Sequence, residues 1–512
     1  MSGLAKAYID GDAFVRGLFE QPPEPRVNGA PTEWNRWIAE ACRDYSGELG
    51  VTRELPKGPA VITGQQTGLL GGPLYTVLKA ITTIELAERL SRESGQPCTP
   101  VFWLAGDDHD FEEVSSVTLL TKTNEPLTLS WQPQADITNR AMHRVPLDDG
   151  LDALIEQVAQ VTRGSEWRES VLDFLKESRG RYDNLCDWTG AILARLFQDT
   201  PLVFFAPHLE PARYHAIPVL AREIEEPLAS TRLLIEAGEA LAAQGYEIPL
   251  QKQPDQCQFF YSFDGVRYPV RFRDGHFHIA NGESYTPSQL RRKLDDEVGN
   301  FSAGAALRPI VQQALFPTAA YVAGPGEIAY WAQLKPLFQF HALPMPAVVP
   351  RMQAVVMSQK DRQVLDDLGW PYAHLHEPLQ DLVEEALRGQ ASNPAVRELR
   401  RQQSQVTSAL DEAVAAMEGA DARSREMMRR VAEKTAHGLE RIERSMLHAD
   451  KASLEAMRTR VARLQNRLAP HRKPQERVYG AASWLFEHGW ELVPRLAAQL
   501  DLDARGVQEI VL

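Results

Sequence analysis

The sequence has 512 residues, of which 24% are charged and 44% are hydrophobic, as is typical of a globular chain with a large core. At roughly 100–200 residues per domain, we expect two to four structural units. The 55 Lys and Arg residues against 69 Asp and Glu residues give a net charge of -14, which argues against a general nucleic-acid or anionic-membrane binder.

The cysteines and the N-terminal segment bear on the cellular location. Cys42, Cys98, Cys186 and Cys257 lie far apart without a CxxC pair, so the sequence favours neither a zinc knuckle nor a disulfide framework. Charged residues interrupt the N-terminal segment, and no stretch reaches the roughly 20 apolar residues of a membrane helix. We therefore expect a cytoplasmic protein without a membrane segment.

The first predicted unit along the chain is a strand, a glycine-rich loop and a helix. Residues 59–63 form an apolar run, the loop TGQQTGLLGGP follows, and Leu74, Leu78 and Ile81 then recur at helical spacing. A second apolar run at residues 99–105 is typical of a strand that is buried on both faces. Two such strands around a helix predict a right-handed βαβ unit, and hence an α/β fold with a parallel sheet.

The later segments predict further strands of this sheet and two insertions. Between residues 120 and 186 the apolar pattern weakens and becomes helical, as expected of a first insertion. Aromatic-rich runs at residues 258–263 and 268–272 flank Asp264 and Gly265 and predict an antiparallel hairpin in a second insertion. Apolar runs predict three more core strands, at residues 202–206, 318–323 and 345–349.

Beyond residue 390 the composition is typical of long helices. Apolar residues recur at the three-four spacing of a coiled-coil seam, and Gly419 and Asp421 predict a helix stop and the next N-cap. We expect an antiparallel helical hairpin at about residues 393–418 and 422–468. Residues 391–473 hold 17 Lys and Arg against 11 Asp and Glu, a net charge of +6, which leaves -20 for the rest. Such charge is usually that of solvated helix faces.

The glycine-rich loop is the first candidate binding element. Glycines permit a close approach of the backbone to a ligand, and the start of the next helix presents N–H groups to an anion. The loop lacks both the Walker lysine and the GxGxxG spacing, so a tight strand-to-helix connection remains an alternative. Pro73 is expected at the first helical position, and Lys79 is expected to be a solvated lysine.

The second strand is followed directly by an acidic cluster, Asp107, Asp108, His109 and Asp110. Three carboxylates and an imidazole so close together cost stability unless a cation, a substrate amine or a proton offsets them. Two chemistries remain open: a divalent metal held by aspartate oxygens, or an ammonium group with His109 as acid or base. A zinc site is disfavoured, because no second His or Cys stands at ligand spacing.

A third cluster follows the last two predicted strands and includes Arg308, Tyr330, Trp331 and Arg351. Arginine pairs bidentately with carboxylates and phosphates, and the two aromatic rings could flank a sugar or an adenine. Structural packing of the aromatic pair is an open alternative. For the polar turn KPQER at residues 473–477, we expect helix capping or a contact between helices.

Long motifs extend these clusters: TGQQTGLLGGPLYTVLKA, PVFWLAGDDHDFEEV, LRPIVQQALFPTAAYVAGPGEIAYWAQLKPLF, MPAVVPRM and KPQER after the coiled coil. In this order they resemble the cysteine ligase family of bacillithiol biosynthesis, over nearly the whole chain. The resemblance implies a Rossmann-like core similar to that of class I aminoacyl-tRNA synthetases, two connecting-peptide insertions and a coiled coil for homodimerisation. It also implies the last pathway step, in which cysteine is joined to the amine of glucosaminyl malate.

The resemblance and the chain pattern together divide the sequence into seven segments. The core spans residues 1–119, 187–239 and 305–390, the insertions span residues 120–186 and 240–304, the coiled-coil hairpin spans residues 391–473, and a helical segment spans residues 474–512.

The resemblance also implies a set of site residues and a hypothetical mechanism. Substrate-binding residues would be Gln65, Gln66, Gly71, Gly72, Asp107, Arg308, Glu327, Tyr330 and Arg351, and catalytic residues would be Asp108, His109 and Asp110. The cysteine carboxylate would be activated as an adenylate and attacked by the glucosamine amine. The helix start after Gly72 and Arg351 would stabilise anionic groups, and the acidic cluster would hold and deprotonate the amine.

The chain departs from the related patterns at two places. It has neither the HIGH nor the KMSKS signature of synthetases, and Phe301-Ser302-Ala303-Gly304 stands where relatives often read Phe-Ser-Pro-Asn. ATP or ADP is nevertheless the expected cofactor, because an amide does not form from a free carboxylate in water without activation. The metal requirement stays open, and no nucleic-acid or membrane partner is expected. The alternative function is a non-catalytic, synthetase-like binder or scaffold of a thiol pathway.

Overall fold

The computed structural model describes residues 3–27, 32–162, 164–390, 394–417, 419–449 and 451–512. The chain divides into two compact units. Unit 1 comprises Met1–Lys122, Leu127–Ala354 and Glu476–Ile510, and unit 2 comprises Thr123–Pro126, Val355–Gln475 and Val511–Leu512. In the described ranges, no helix combines the length and the apolarity needed to cross a membrane.

The strands are, in chain order, β1 Ala60–Gln65, β2 Thr99–Leu104, β3 Ser116–Leu120, β4 Pro126–Ser130, β5 Val203–Phe205, β6 Gln256–Phe263, β7 Val266–Arg273, β8 His276–Ile279, β9 Ser284–Tyr285, β10 Phe301–Ala303, β11 Thr318–Ala323, β12 Ala347–Pro350, β13 Gln353–Met357 and β14 Val507–Val511.

The helices before residue 345 are α1 Gly3–Asp10, α2 Ala13–Gly17, α3 Arg36–Glu48, α4 Leu74–Ser94, α5 Gly150–Val161, α6 Arg168–Arg181, α7 Leu185–Leu196, α8 Glu210–Glu225, α9 Ala229–Ala243, α10 Pro287–Asp296, α11 Arg308–Leu315, α12 Pro325–Trp331 and α13 Lys335–Phe340. They are followed by α14 Gln359–Leu368, α15 Leu379–Gln390, α16 Pro394–Ala416, α17 Ala422–Ala449, α18 Lys451–Leu468, α19 Gln475–Val478, α20 Ala482–His488 and α21 Leu492–Ala497.

The core of unit 1 is a parallel sheet with the strand order β12-β11-β1-β2-β5. The central strand β1 places Ile62 between Tyr321 of β11 and Val101 of β2. All residues of β2 are buried, as its continuous apolar sequence predicts for a strand with both faces covered. The predicted α/β fold with a parallel Rossmann-like sheet is confirmed.

Helix α4 connects β1 to β2, and most of its residues are buried. It begins at Leu74 with Pro73 directly before it, so Pro73 is one position outside the helix rather than at its first residue. Gly95 ends the helix in the left-handed conformation, with a φ of 69°, that glycine adopts without steric cost. The loop that leaves the C-terminal end of β1 leads directly into this helix.

The predicted hairpin of the second insertion is strands β6 and β7, within an antiparallel sheet of order β10-β6-β7-β8-β9. Asp264 and Gly265 form its turn with φ values of 49° and 80°. Two positive φ values in succession are those of a type I′ turn, which Asp-Gly sequences favour. This hairpin turn is predictable from two residues alone.

Unit 2 is mainly helical. Helices α15 and α18 share an apolar core that includes Leu382, Val461 and Leu464. Helices α16 and α17 form the predicted antiparallel pair, since Arg400 near the start of α16 contacts Glu443 near the end of α17 at 2.8 Å. The helix predicted at residues 422–468 is described as two helices, α17 and α18, and residue 450 between them lies outside the described residues.

Candidate active site

A cavity of about 760 Å³ lies at the carboxyl edge of the parallel sheet. Each of the five parallel strands contributes a lining residue at or just beyond its C-terminal end: Gln65, Ala105, Pro207, Gly324 and Arg351. Open α/β sheets bind their ligands at this edge, because loops and helix starts converge there. The lining also carries several charged side chains, and their pairing decides what the cavity can bind.

Lys79 is a central member of this lining, although its sequence position predicts a solvated side chain. Its side chain is only 1% exposed, and Nζ donates to Glu327 Oε2 at 2.6 Å and to the Gly64 carbonyl. Burial lowers the pKa of Lys79, and the carboxylate of Glu327 opposes that shift. The expectation of a solvated lysine is wrong, because both the helix and the strand end around Lys79 are buried.

Glu327, a predicted binding residue, caps the start of helix α12. It accepts hydrogen bonds from the Gly324 N–H at 2.8 Å and from the Tyr321 hydroxyl at 2.5 Å. Burial would raise the pKa of Glu327, but Lys79 and these donors lower it overall. The carboxylate is thus ionised, and its bonding capacity is largely taken up by the protein.

Arg308 lines the same part of the cavity and has no carboxylate partner within the described chain. Its guanidinium donates to the Tyr330 hydroxyl at 2.7 Å, to the Tyr321 hydroxyl at 3.3 Å and to Gln312 at 3.0 Å. Arg308, Tyr330 and Glu327 were predicted together, and the structure joins them in one hydrogen-bonded network around the cavity. The cation of Arg308 remains available to a ligand anion.

Asp107 lines the opposite part of the cavity and is bound to Arg213 of helix α8. Both carboxylate oxygens accept from the guanidinium, at 2.6 and 2.7 Å. Burial alone would raise the pKa of Asp107, but Arg213 holds it at about 2. Asp107 is therefore a permanent carboxylate that fixes Arg213, and it does not serve as a base near neutral pH.

Asp108 also lines the cavity, and it lies beside a second carboxylate that sequence inspection did not single out. The Gln66 side-chain amide donates to Asp108 at 2.6 Å and to Glu113. Within the described ranges neither carboxylate has a lysine or arginine partner. Gln66, Asp108 and Glu113 therefore form an anionic corner of the cavity.

His109 and Asp110 do not belong to the cavity lining. Arg267 of strand β7 lines the cavity and donates to His109 Nδ1 at 2.9 Å. The His109 ring thus contacts a residue of the lining without being part of the lining itself. Burial, and then Arg267, lowers the pKa of His109. Asp110 is exposed. The three residues predicted as catalytic thus occupy three different environments.

Gly71 and Gly72 allow the chain to turn into helix α4, with φ values of 87° and 75°. Neither residue lines the main cavity; Gly72 borders a smaller neighbouring cavity of about 210 Å³. The Leu74 N–H, which would be the first donor of the helix, is bonded to the Tyr479 carbonyl at 2.9 Å. Pro73 has no N–H. The helix start is therefore partly closed as an anion site.

Arg351 lines the cavity but is bound within unit 1. Its guanidinium contacts Glu476 in a pair whose side chains are 2% and 3% exposed. Glu476 also accepts from the Ala354 N–H at 3.0 Å, and its neighbour Arg477 lines the cavity. For the KPQER turn, only helix capping or a contact between helices is expected from the sequence; the turn also places Arg477 in the cavity lining and pairs Glu476 with Arg351.

Trp331, one of the two aromatic residues considered as ring-binding, lies in the core. It is fully buried and stacks against Tyr321 at 4.7 Å and Phe338 at 5.7 Å between ring centroids. The packing alternative is therefore correct for Trp331, whereas Tyr330 faces the cavity.

The described residues contain no group of three or more His, Cys, Asp or Glu side chains arranged to hold a metal ion. Two aspartates of the acidic cluster have different partners: Asp107 accepts from Arg213, and Asp108 accepts from Gln66. The two alternatives for this cluster, an ammonium group and a divalent metal, stay predictions.

Family models match both parts of the chain. Residues 54–352 match the model described as the N-terminal Rossmann-like domain of the bacillithiol biosynthesis protein BshC, and residues 354–506 match its C-terminal coiled-coil domain. The chain belongs to the BshC family. The predicted family, its place in bacillithiol biosynthesis and the ligase class are thereby confirmed, and the matches give no support to the scaffold alternative.

Curated relatives agree with the BshC models. A protein of Salinibacter ruber, named cysteine ligase BshC, is 31% identical over 463 residues, which cover 89% of this chain and 83% of that protein. One of Geobacillus thermodenitrificans with the same name is 31% identical over 527 residues, covering 99% and 95%. A solved arginyl-tRNA synthetase structure from Campylobacter jejuni aligns over 84% of this chain and 96% of that chain at 10% identity, with a TM-score of 0.22. A score that low supports no conclusion, so the synthetase-like core stays a prediction.

Three charged residues of this BshC cavity were missed in the sequence: Glu113, Arg213 and Arg267. Glu113 could have been predicted from the sequence, because it continues the acidic run that begins at Asp107. Arg213 and Arg267 carry no such signal, since a lone arginine in a helix or a hairpin is ordinarily a surface residue. Only the tertiary fold brings them to the ends of the core strands.

Proposed function

We propose that this chain forms the amide bond between the carboxyl group of cysteine and the amine of glucosaminyl malate. One observation carries the proposal beyond family membership: the cavity combines charged groups of both signs that lack an ionic partner among the described side chains. These are the carboxylates Asp108 and Glu113 and the guanidinium groups of Arg267 and Arg308. A site that joins an amine to an acid needs both kinds of group.

The anionic corner is the proposed binding place of the reacting amine. An ammonium group there would be attracted by Asp108 and Glu113, while Gln66 fixes the orientation of both carboxylates. The amine must lose a proton before it attacks. Asp107, with its pKa of about 2, is too weak a base, and His109 Nδ1 is already occupied by Arg267. We assign proton transfer to Asp108.

Activation of the cysteine carboxylate is proposed to consume ATP. The carboxylate oxygen would attack the α-phosphorus and release pyrophosphate, and the amine would then attack the acyl carbon and release AMP and one proton. Arg308 and the exposed Arg477 are the proposed partners of the anionic groups, since the start of helix α4 is partly closed by Tyr479. The volume of about 760 Å³ is within the range of small-molecule sites.

The test is to incubate the purified protein with cysteine, glucosaminyl malate and ATP-magnesium and to follow bacillithiol by mass spectrometry and pyrophosphate by a coupled assay. Product with stoichiometric pyrophosphate is expected. Product with orthophosphate instead would replace the adenylate by an acyl phosphate. Absence of product with every nucleotide tried would contradict the proposed reaction.

Substitution of the acidic cluster tests the assignment of Asp108. Asp108→Asn is expected to lower kcat by about 100-fold or more, because a positioned proton acceptor is lost. Asp110→Asn is the matched control, since Asp110 is exposed and outside the cavity lining, and it should stay within about twofold of the wild type. Equal activities of the two variants would remove Asp108 from the mechanism.

Two further assignments belong to this proposal. The chain is proposed to be a homodimer through the α16–α17 pair, where Val406, Met427, Val431 and Ile442 are exposed apolar residues. It is proposed to act in the cytoplasm, in keeping with four cysteines that all carry free thiols.

A further inference from the structure

Arg267 is a buried cation at the cavity wall. Arg267 is 5% exposed, and no carboxylate of the described chain lies within ion-pair distance of its guanidinium. Two other arginines of the cavity are paired with carboxylates, Arg213 with Asp107 and Arg351 with Glu476, whereas Arg308, like Arg267, bonds only to neutral groups of the described chain. Asp107 and Asp108 attract Arg267 only from beyond ion-pair distance, and because a buried charge without a direct partner is costly, its position requires a reason.

The surroundings hold the guanidinium of Arg267 in place with neutral groups. Nε donates to the Ser302 hydroxyl at 2.8 Å, one terminal nitrogen donates to the Ala303 carbonyl at 2.7 Å, and the other donates to His109 Nδ1 at 2.9 Å. The guanidinium carbon lies 3.7 Å from the centroid of the Phe260 ring, a cation–π contact. The side chain is therefore fixed in orientation without being neutralised.

These hydrogen bonds use three of the five N–H donors of a guanidinium. One donor remains on each terminal nitrogen, and a guanidinium with a free donor on both can bind the two oxygens of a carboxylate. Since Arg267 also lines the cavity, the carboxylate of a bound ligand can form the ion pair that the guanidinium lacks within the described chain.

We propose that Arg267 binds a carboxylate of the malate part of the acceptor substrate and so makes the enzyme select acidic amino sugars. The inference rests on the proposed function. Cysteine has a single carboxylate, which becomes the amide carbonyl, and a rigid ion pair would hinder its reaction. The malate carboxylates are unchanged from substrate to product, so a fixed guanidinium can hold them throughout.

This assignment gives the second insertion a role in specificity. Arg267 lies on strand β7, and Phe260 and Ser302 belong to the neighbouring strands β6 and β10 of the same sheet. The core strands carry the groups proposed for amine binding and proton transfer, whereas this sheet would recognise the part of the acceptor that does not react.

The experiment compares Arg267→Gln and Arg267→Lys with the wild type. Arg267→Gln should raise KM for glucosaminyl malate by about 10- to 100-fold, as expected when a charge-assisted pair is lost. KM for cysteine should change by less than about threefold. The preference for glucosaminyl malate over methyl glucosaminide, which lacks the carboxylates, should fall by the same factor as KM rises. A merely structural role would not change this preference.

Two controls keep the result interpretable. Arg273→Gln removes an exposed arginine from the same strand and should leave the substrate preference unchanged. Arg267→Lys keeps the charge but loses the forked geometry, so it should fold where Arg267→Gln does not and should show an intermediate loss of preference.

Direct binding separates this inference from the proposed reaction. Isothermal titration with malate alone should show binding to the wild type and at least tenfold weaker binding to either Arg267 variant, whether or not the wild type forms product. Equal malate affinity in wild type and variants, or an unchanged acceptor preference with a raised KM for cysteine, would overturn the assignment.

Discussion

Asp107 and Arg213 form a buried ion pair in which the guanidinium lowers the pKa of the carboxylate. Their side chains are 13% and 11% exposed, and both oxygens of the carboxylate are bonded to the guanidinium. The acidic run in the sequence suggested mutual repulsion among its carboxylates. In the structure the repulsion is relieved differently at each residue, because Arg213 neutralises Asp107 while Gln66 bonds to Asp108.

Replacement of Asp107 should destabilise the fold. Asp107→Asn leaves Arg213 buried without its partner, and we expect a loss of about 3–5 kcal/mol in the free energy of unfolding, measured by urea denaturation. The exposed Asp110→Asn should change it by less than about 0.5 kcal/mol. A stability close to that of the wild type in Asp107→Asn would show that water reaches and solvates Arg213.

The same pair should contribute to acid sensitivity. The pKa of Asp107 is about 2 in the folded protein and about 3.9 in an unfolded chain, so the pair stabilises the fold fully above the higher value. The stabilisation is lost as the pH falls from about 4 through about 2. In Asp107→Asn, the decline in unfolding free energy over that pH interval should be shallower than in the wild type.

His109 predicts a separate pH dependence of acceptor binding. Its pKa is lowered by burial and by Arg267, while Asp108 and Asp110 act in the opposite direction. The neutral ring accepts the Arg267 hydrogen bond, whereas a protonated ring would repel the guanidinium. Because the pKa of His109 lies below the ordinary histidine value of about 6.5, KM for the acceptor should rise only at pH values below that value. His109→Gln, which keeps a neutral acceptor, should abolish this rise in a KM profile between pH 5 and 8.

At the scale of the element, helix α4 shows how burial overrides local expectation. Lysine in a helix is ordinarily solvated, but most residues of α4 are buried, and a helix that is buried on most of its faces is a core helix. The run LYTVLKAITTI contains this signal. The segment as a whole predicts that Lys79 lies in the core, where its ammonium group needs a carboxylate partner. Glu327, far away in the sequence, could not have been named from the segment.

The Lys79–Glu327 pair should behave as a coupled unit. Lys79→Met leaves Glu327 buried without its cation and should cost about 3–5 kcal/mol of stability, measured by denaturant unfolding. The double variant Lys79→Met with Glu327→Gln removes both charges and should recover part of that loss. Strictly additive effects in this double-mutant cycle would contradict a direct interaction between the two side chains.

At the scale of the whole molecule, the fold was more accessible from the sequence than the site was. Continuous apolar runs predict β1, β2 and β11 within one or two residues, and the Asp-Gly pair predicts the β6–β7 turn, because these signals are local. The ion pairs depend on contacts between distant segments, as between Arg351 and Glu476, and local patterns contain no such information. The seven-segment division stays a prediction beside the two units of the structure.

The oligomeric state is a prediction at this scale too. The wild type should scatter light as a dimer at micromolar concentration, and Met427→Glu with Val431→Glu should shift the mass to that of a monomer, because charges would enter an apolar contact. Lys434→Glu on the same helix is the control and should leave the dimer intact. A monomeric wild type would exclude α16 and α17 as a dimer interface.

The segment around Tyr479 joins the core late in the chain. Glu476 neutralises Arg351, the Tyr479 carbonyl caps helix α4, and Ala481 donates to the Gly72 carbonyl at 2.9 Å. On the ribosome, α4 and β12 are synthesised before these partners, so the nascent core holds an uncapped helix and an unpaired arginine until the partners emerge. The carboxyl edge of the parallel sheet can thus be completed only after translation has passed residue 481, although all five of its strands precede that point.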